Sequence, residues 1–143
     1  MPADWKRLER AAWASLAVHL VAGLAMAVVL RHGLETNPDL GDRLRFVSEQ
    51  TAHWRLAWGT WNVAALSVLW FFFAYARACP ALAARTAFLI GCLAVCLDLT
   101  AEAIEMWRLP ALAQAGLAAS FLDAHRQAVL LTGFAANGLY TLA

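Results

Sequence analysis

Four long stretches of this sequence are almost free of charged residues, and no other feature constrains the fold as strongly. Residues 11–30, 56–76 and 127–143 contain no Asp, Glu, Lys or Arg, and residues 86–97 begin a fourth apolar stretch. A helix needs about 20 predominantly apolar residues to cross a bilayer. The chain is 62% hydrophobic and 15% charged, whereas soluble domains carry about 25% charged residues. We therefore predict an all-α, polytopic membrane protein that folds as a four-transmembrane-helix bundle.

The predicted bundle uses most of the chain, so we expect residues 1–143 to form a single transmembrane helical domain. Its four spans cover about residues 11–30, 53–77, 82–107 and 124–143. Lys6, Arg7 and Arg10 precede the first span, as basic residues precede the apolar region of a signal peptide. The apolar part of this span, however, is longer than the h-region of a signal peptide, which has about 7–15 residues. We interpret it as a transmembrane helix. The last span reaches Ala143, which leaves room for a natural C-terminal extension.

The loop at residues 31–55 is predicted to contain a short interfacial helix. Asn37 and Pro38 form a typical N-cap followed by Pro at the first helical position. Beyond them Leu40, Leu44 and Val47 provide an apolar side for a helix that lies near the lipid headgroups.

Basic residues near the ends of the spans give little information about orientation. Five lie on the side of the termini and six on the side of the first loop. The connection between the second and third spans carries Arg77 and Arg85 without an acidic residue. We expect both termini to be cytoplasmic and the protein to lie in a bacterial inner membrane.

The third predicted span carries three acidic residues on one helical face. Asp98, Glu102 and Glu105 follow each other at spacings of four and three residues. A carboxylate at the centre of a membrane helix costs about 2.5–3.5 kcal/mol on insertion scales, so such groups normally face the protein interior. Asp98 is the deepest of the three. We expect it to share a proton with His19 or, alternatively, to be protonated and hydrogen-bonded to Asn62.

Other polar groups fall at a similar depth when 1.5 Å of rise per residue is counted from the flanking charges. Together they give the following candidates for proton or ligand binding: Asp98, His19, Asn62, Asn137, Glu102 and Trp58. The alternative for the two asparagines is a purely structural hydrogen bond between helices. The alternative for His19 is a packing role.

Metal, haem and nucleic-acid binding receive little support. His53, His125, Glu102 and Glu105 are the only weak candidates for metal ligands, and no HExxH motif accompanies them. We expect the two glutamates to form salt bridges with Arg108 or Arg126 instead. The three cysteines form no zinc or c-type haem motif, and the sequence leaves the cofactors unknown. The net charge of +1 gives no reason to expect a nucleic-acid partner.

Three functions remain open at this point. The absence of catalytic motifs and the small size favour a non-catalytic subunit that packs against other membrane protein subunits. A proton-coupled carrier or small-ligand-binding protein that uses Asp98 and His19 is the alternative. A membrane enzyme that acts on a lipid-like substrate through Asp98, Glu102 and His125 is the third. A cavity beside Asp98 would favour the last two over a closed bundle.

Overall fold

The computed structural model describes residues 3–143, and all regular secondary structure in this range is helical. This confirms the all-α prediction. The α-helices are α1 (Ala3–Val28), α2 (Leu40–Glu49), α3 (Thr51–Ala78), α4 (Leu82–Ala103), α5 (Leu109–Gln114), α6 (Ala118–Val129) and α7 (Asn137–Leu142). A 3-10 turn at Leu30–His32 follows α1. Two π-helical turns, Ile104–Arg108 and Leu130–Ala136, join α4 to α5 and α6 to α7.

Three continuous helical segments are long and apolar enough to cross a membrane. They are Ala3–His32, Thr51–Ala78 and Leu82–Gln114. This supports the assignment as a membrane protein. The segment 118–142, which we call the C-terminal helix, consists of α6, the second π turn and α7. Its role as a fourth span stays a prediction.

The helices pack as a curved row rather than as a closed ring. α1 packs against α3, α3 packs against α4, and the C-terminal helix packs against α4. The short helix α2 packs against α5 and α3 at the end of the bundle that carries the first loop. The buried apolar residues at this end are Leu30, Val47, Trp54, Ala57, Trp58, Leu109, Ala113, Phe121 and Ala124.

The predicted N-cap of α2 was two residues too early. Asp39, in extended conformation, is the N-cap, and its carboxylate accepts a hydrogen bond of 2.9 Å from the Asp42 N–H. Asn37 instead accepts a hydrogen bond of 3.1 Å from the Asp39 N–H, which makes it part of the turn before the helix.

The third helix does not end at residue 107 as predicted, because a π turn carries it past Pro110. The Leu109 N–H bonds the Ile104 carbonyl, five residues earlier, and Pro110 has no N–H to donate. Pro110 therefore cannot donate to the Met106 carbonyl, four residues earlier, or to the Glu105 carbonyl, five residues earlier. The Trp54 indole donates to the Glu105 carbonyl at 2.7 Å, and the Arg55 guanidinium donates to the Met106 carbonyl at 2.9 Å. Side chains of α3 thus satisfy the backbone that proline disrupts.

The predicted connector 109–124 is mostly helical. Only a tight turn at residues 115–117 separates α5 from α6. Gly116 has a φ of 68°, the Gly116 N–H bonds Ala113 at 3.1 Å, and the Leu117 N–H bonds Leu112 at 3.0 Å. These are the two bonds of a Schellman C-cap, which favours glycine at the left-handed position. Consequently the last helix begins at Ala118 and not near residue 124.

We predict that the Gly91→Ala substitution destabilises the fold at the contact between α3 and α4. A Cβ atom at Gly91 would lie 2.7 Å from Cδ2 of Phe72, so the aromatic ring would have to move. Overpacking of this kind costs about 1–3 kcal/mol. The measurement is thermal unfolding in detergent, followed by circular dichroism.

Gly59→Ala in α3 is the matched control, because among residues 3–143 no side chain and no backbone of another helix lies within 4 Å of its Cβ position. Replacing a helical glycine by alanine without a clash should stabilise by up to about 1 kcal/mol. Equal shifts of the two melting temperatures would contradict the close contact between Gly91 and Phe72.

Candidate functional site

All three acidic residues of the predicted face are buried within the protein. The exposed fractions are 9% for Asp98, 4% for Glu102 and 2% for Glu105. Their surroundings differ, however, because each side chain lies at a different level along the helix. Two of the carboxyl groups are hydrogen-bonded to side chains of the C-terminal helix, and the third is not.

Asp98 is held by two hydroxyl groups of the C-terminal helix. The Thr132 hydroxyl donates to Oδ1 at 2.5 Å, and the Tyr140 hydroxyl donates to Oδ2 at 2.8 Å. Neither predicted partner contacts Asp98 by a hydrogen bond. The His19 ring bonds the Ser15 carbonyl at 2.8 Å, and the Asn62 amide donates to the Trp58 carbonyl and the Met106 sulfur. The expected pairings of Asp98 with His19 and with Asn62 are therefore wrong.

The second π turn brings Thr132 and Tyr140 onto the same face. In an ideal α-helix, residues eight positions apart differ by about 80° in direction. A π turn bonds groups that are five residues apart instead of four, so each turn contains more residues and this angle is reduced. Thr132 lies in the π turn and Tyr140 lies beyond it. No periodicity rule for regular helices could identify this pair.

Glu102 is the carboxyl group without a partner. Its Oε2 atom is buried and has no hydrogen-bond partner among the described residues. A buried polar group left unpaired costs about 1–3 kcal/mol, more if it is charged. Such a group in a folded protein therefore indicates a water molecule, a proton or a ligand that binds beside it.

A cavity of about 620 Å³ lies beside Glu102 and Asp98. This volume is within the range of about 300–1,000 Å³ that small-molecule sites occupy. The cavity is bordered by α1 on one side, by the C-terminal helix on the other, and by α3 and α4 between them. Its lining residues are His19, Met26, Trp58, Trp61, Ala64, Ala65, Val68, Phe71, Phe72, Asp98, Glu102, Thr132, Gly133, Asn137 and Tyr140.

Five of the six predicted site residues line this cavity. They are Asp98, Glu102, His19, Trp58 and Asn137. Asn62 is the exception, since its amide donates to the Trp58 carbonyl and to the Met106 sulfur instead. Thr132, Tyr140 and the aromatic pair Phe71 and Phe72 also line the cavity, and sequence reasoning did not select them.

Two indole groups in the cavity wall also lack partners. Nε1 of Trp58 and Nε1 of Trp61 are buried and have no hydrogen-bond acceptor among the described residues. Trp61 also contacts the His19 ring edge-on, with centroids 6.3 Å apart. Buried tryptophan N–H groups usually find an acceptor. Together with Glu102, they are three residues of the cavity lining that each have an unused, buried hydrogen-bonding atom.

Glu105 and His125 form a separate, fully buried pair at the end of the bundle near α2. Glu105 Oε1 lies 2.7 Å from His125 Nδ1, and both side chains are 2% exposed. Arg43 of α2 is buried nearby, with its Nε donating to the Gly33 carbonyl at 3.1 Å. Its guanidinium lies over the Phe121 ring at 5.8 Å. This cluster fixes α2 and the C-terminal helix to α4.

The expected salt bridges of the two glutamates with arginine do not form in residues 3–143. Glu105 is paired with His125, and Arg108 donates instead to the Gln127 amide oxygen at 3.2 Å. Glu105 pairs with His125 and not with an arginine, because Arg108 and Arg126 are exposed while His125 is buried.

The four weak metal candidates do not meet at one site, and only Glu105 and His125 are paired. Among residues 3–143, no group of three or more His, Cys, Asp or Glu side chains is arranged to hold a metal ion. His53 lies at the surface, where its ring contacts the Gln50 amide oxygen at 3.0 Å. His125 is bonded to Glu105 and is not part of the cavity wall. The set Asp98, Glu102 and His125, expected for a lipid-directed enzyme, is therefore not assembled around one site.

Comparison of the chain with protein-family models, curated proteins and solved structures finds no match. Function is therefore inferred from the geometry of the cavity.

We predict that removing one member of the Glu105–His125 pair is much more costly than replacing both. His125→Leu leaves a buried carboxyl group without its partner, which costs about 3–5 kcal/mol when an ion pair is broken. The double substitution Glu105→Leu with His125→Leu should recover most of this loss. Equilibrium unfolding in mixed micelles measures both. Additive destabilisation in the double variant would contradict a direct interaction.

Proposed function

We propose that this chain is a four-span membrane protein that binds a small lipid-soluble molecule in the cavity beside Glu102. The fourth span in this proposal is the C-terminal helix, because residues 127–143 contain no charged side chain. A fourth span also agrees with the position of Tyr140. Its hydroxyl donates to Asp98, which lies in the segment Leu82–Gln114, and this segment is itself apolar enough to cross a membrane.

The observation that carries this proposal is an unpaired, buried carboxyl group in the wall of a ligand-sized cavity. Asp98 accepts hydrogen bonds at both oxygens, and Glu105 is bonded to His125 through Oε1 although its Oε2 is unpaired. Among residues 3–143, neither oxygen of Glu102 has a hydrogen bond, and Glu102, unlike Glu105, lines the cavity. A binding site instead needs polar groups that remain available until the ligand arrives.

The packing of the helices provides a route from the bilayer. α1 contacts mainly α3, and the C-terminal helix contacts mainly α4, so the cavity lies in the gap between the two outer helices of the row. A molecule dissolved in the lipid could enter sideways through this gap. Apolar side chains, among them Phe71 and Val68, would then contact its apolar part.

Proton binding is coupled to ligand binding in this proposal. The titratable groups that face the cavity are Asp98 and Glu102 from α4, His19 from α1 and Tyr140 from the C-terminal helix, while α3 contributes none. A ligand that approaches Glu102 changes the free energy of its protonation, and by linkage the pH changes the affinity for the ligand. We expected proton binding between Asp98 and His19. In this proposal the proton-binding site is centred on Glu102 instead.

The proposed placement in the membrane follows from the same arrangement. The end of the bundle that carries α2 lies at one interface, with α2 along the headgroups. Both termini and the connection at residues 79–81 lie at the other. As in the sequence-based prediction, this second side is cytoplasmic and the membrane is a bacterial inner membrane.

The test is to fill the cavity without touching its acidic groups. Gly133 lines the cavity and has only the Val129 side chain within 4 Å of its Cβ position, so Gly133→Leu extends into open space. The protein is extracted in native-membrane nanodiscs, and retained small molecules are measured by native mass spectrometry. We expect about one molecule per wild-type chain and none in the variant.

Gly138→Leu is the matched control, because Gly138 lies on the same helix, has open space around it and is not part of the cavity wall. It should retain the molecule as the wild type does. Retention in Gly133→Leu equal to that in Gly138→Leu, or no retained molecule in any of the three proteins, would overturn the proposed function.

A subunit of a larger membrane complex is the second candidate function, and the exposed face of α1 favours it. Gly23 and Ala27 belong to a repeat of small residues at four-residue spacing, yet they are exposed, and no atom lies within 4 Å of the Gly23 Cβ position. Small residues of this kind allow a partner helix to approach closely. A stable monomer that purifies without another chain, with unchanged stability after Gly23→Leu, would contradict it.

A further inference from the structure

The charge and the aromatic content of the cavity wall constrain the chemistry of its ligand. Two carboxyl groups, Asp98 and Glu102, lie in the wall, and no Lys or Arg side chain is among the lining residues. Among these lining residues, His19 is the one side chain that could carry a positive charge. An anionic ligand would therefore meet acidic groups without a basic side chain to compensate them.

Aromatic rings form much of the remaining wall. They belong to Trp58, Trp61, Phe71, Phe72 and Tyr140. The face of an aromatic ring attracts a cation, most strongly in the case of tryptophan, and the interaction reaches about 2 kcal/mol when the cation is desolvated. Carboxylates and aromatic faces around one cavity together favour a positively charged organic group.

The two carboxyl groups would have different tasks. Both oxygens of Asp98 already accept hydrogen bonds, from Thr132 and Tyr140, so neither oxygen is free for a ligand. Glu102 has a free, buried oxygen and is 4% exposed. Glu102 is thus the group available for direct contact with an ammonium.

The indole groups add a second requirement. The N–H groups of Trp58 and Trp61 are donors without acceptors, and a cation alone would not satisfy them. A carbonyl, ester or hydroxyl oxygen on the same ligand would. The wall therefore matches a molecule with an apolar body, a cationic nitrogen and an oxygen acceptor.

We propose that the ligand is a lipophilic organic ammonium that also carries an oxygen acceptor, bound with its cationic group against Glu102. This inference rests on the proposed function, because it names the ligand class of the same cavity. The cation enters from the lipid through the gap between α1 and the C-terminal helix. Its apolar body then lies against the aromatic side chains.

The experiment compares two esters of nearly the same shape, benzoylcholine and 3,3-dimethylbutyl benzoate, in which carbon replaces the ammonium nitrogen. Binding is measured by equilibrium dialysis against phosphatidylcholine nanodiscs with and without the protein, so that partition into lipid is subtracted. We expect the protein to bind the cationic ester at least about tenfold more tightly than the neutral one.

Glu102→Gln tests whether this preference comes from the proposed carboxyl group. It should reduce the preference at least about tenfold, whereas Glu9→Gln removes an exposed acid outside the cavity and should leave it unchanged. Circular dichroism verifies the fold of each variant. If Glu102→Gln does not fold, Gly133→Leu, which fills the cavity, should abolish binding of both esters.

The following results would overturn the cationic ligand and leave the proposed function standing. They are equal or tighter binding of the neutral ester, and a cation preference that survives Glu102→Gln. Failure of both esters to bind, while the native nanodiscs retain a molecule in the cavity, also refutes the ammonium class alone. If the nanodiscs retain nothing either, the proposed function fails as well.

Discussion

Acidic side chains on an apolar helix require partners inside the protein, and this requirement organises the structure. Lipid offers no hydrogen bonds, so each carboxyl group of α4 must be satisfied by a neighbouring helix, a proton or a ligand. The C-terminal helix supplies Thr132 and Tyr140 to Asp98, and it supplies His125 to Glu105. The same helix is therefore held against α4 at two levels, above and below Glu102.

The two π turns lie where these partners are needed. The first follows Glu102 and contains Glu105, and carbonyls of this turn accept hydrogen bonds from Trp54 and Arg55. The second contains Thr132. π turns in helices are rare and often occur at functional sites. Here they change the direction of side chains so that the carboxyl groups and their donors meet, and Glu102 remains free at the cavity.

The sequence predicted the features that depend on composition and spacing. The apolar stretches indicated helices and a membrane protein, and the spacing of Asp98, Glu102 and Glu105 predicted a single buried acidic face. The cap at Asp39 and the turn at Gly116 were missed although their local signals, an acidic residue before Leu40 and a glycine after a helical stretch, are present.

The partners of the acidic residues could not be predicted in this way. Regular helical periodicity places Thr132 and Tyr140 about 80° apart, and only the π turn brings both to Asp98. The pairing of His125 with Glu105 was not expected, because the last helix was predicted to start near residue 124. The helix begins at Ala118, which places His125 well inside it and next to Glu105.

The most direct test of this account is a crystal structure of the protein grown from a lipid mesophase, in which the cavity is examined at its unpaired carboxyl group. We expect a gap between α1 and the C-terminal helix, with density for a non-protein molecule within hydrogen-bond distance of Glu102 Oε2. A C-terminal helix closed against α1, with Glu102 hydrogen-bonded to a side chain of the protein and no space beside it, would contradict it.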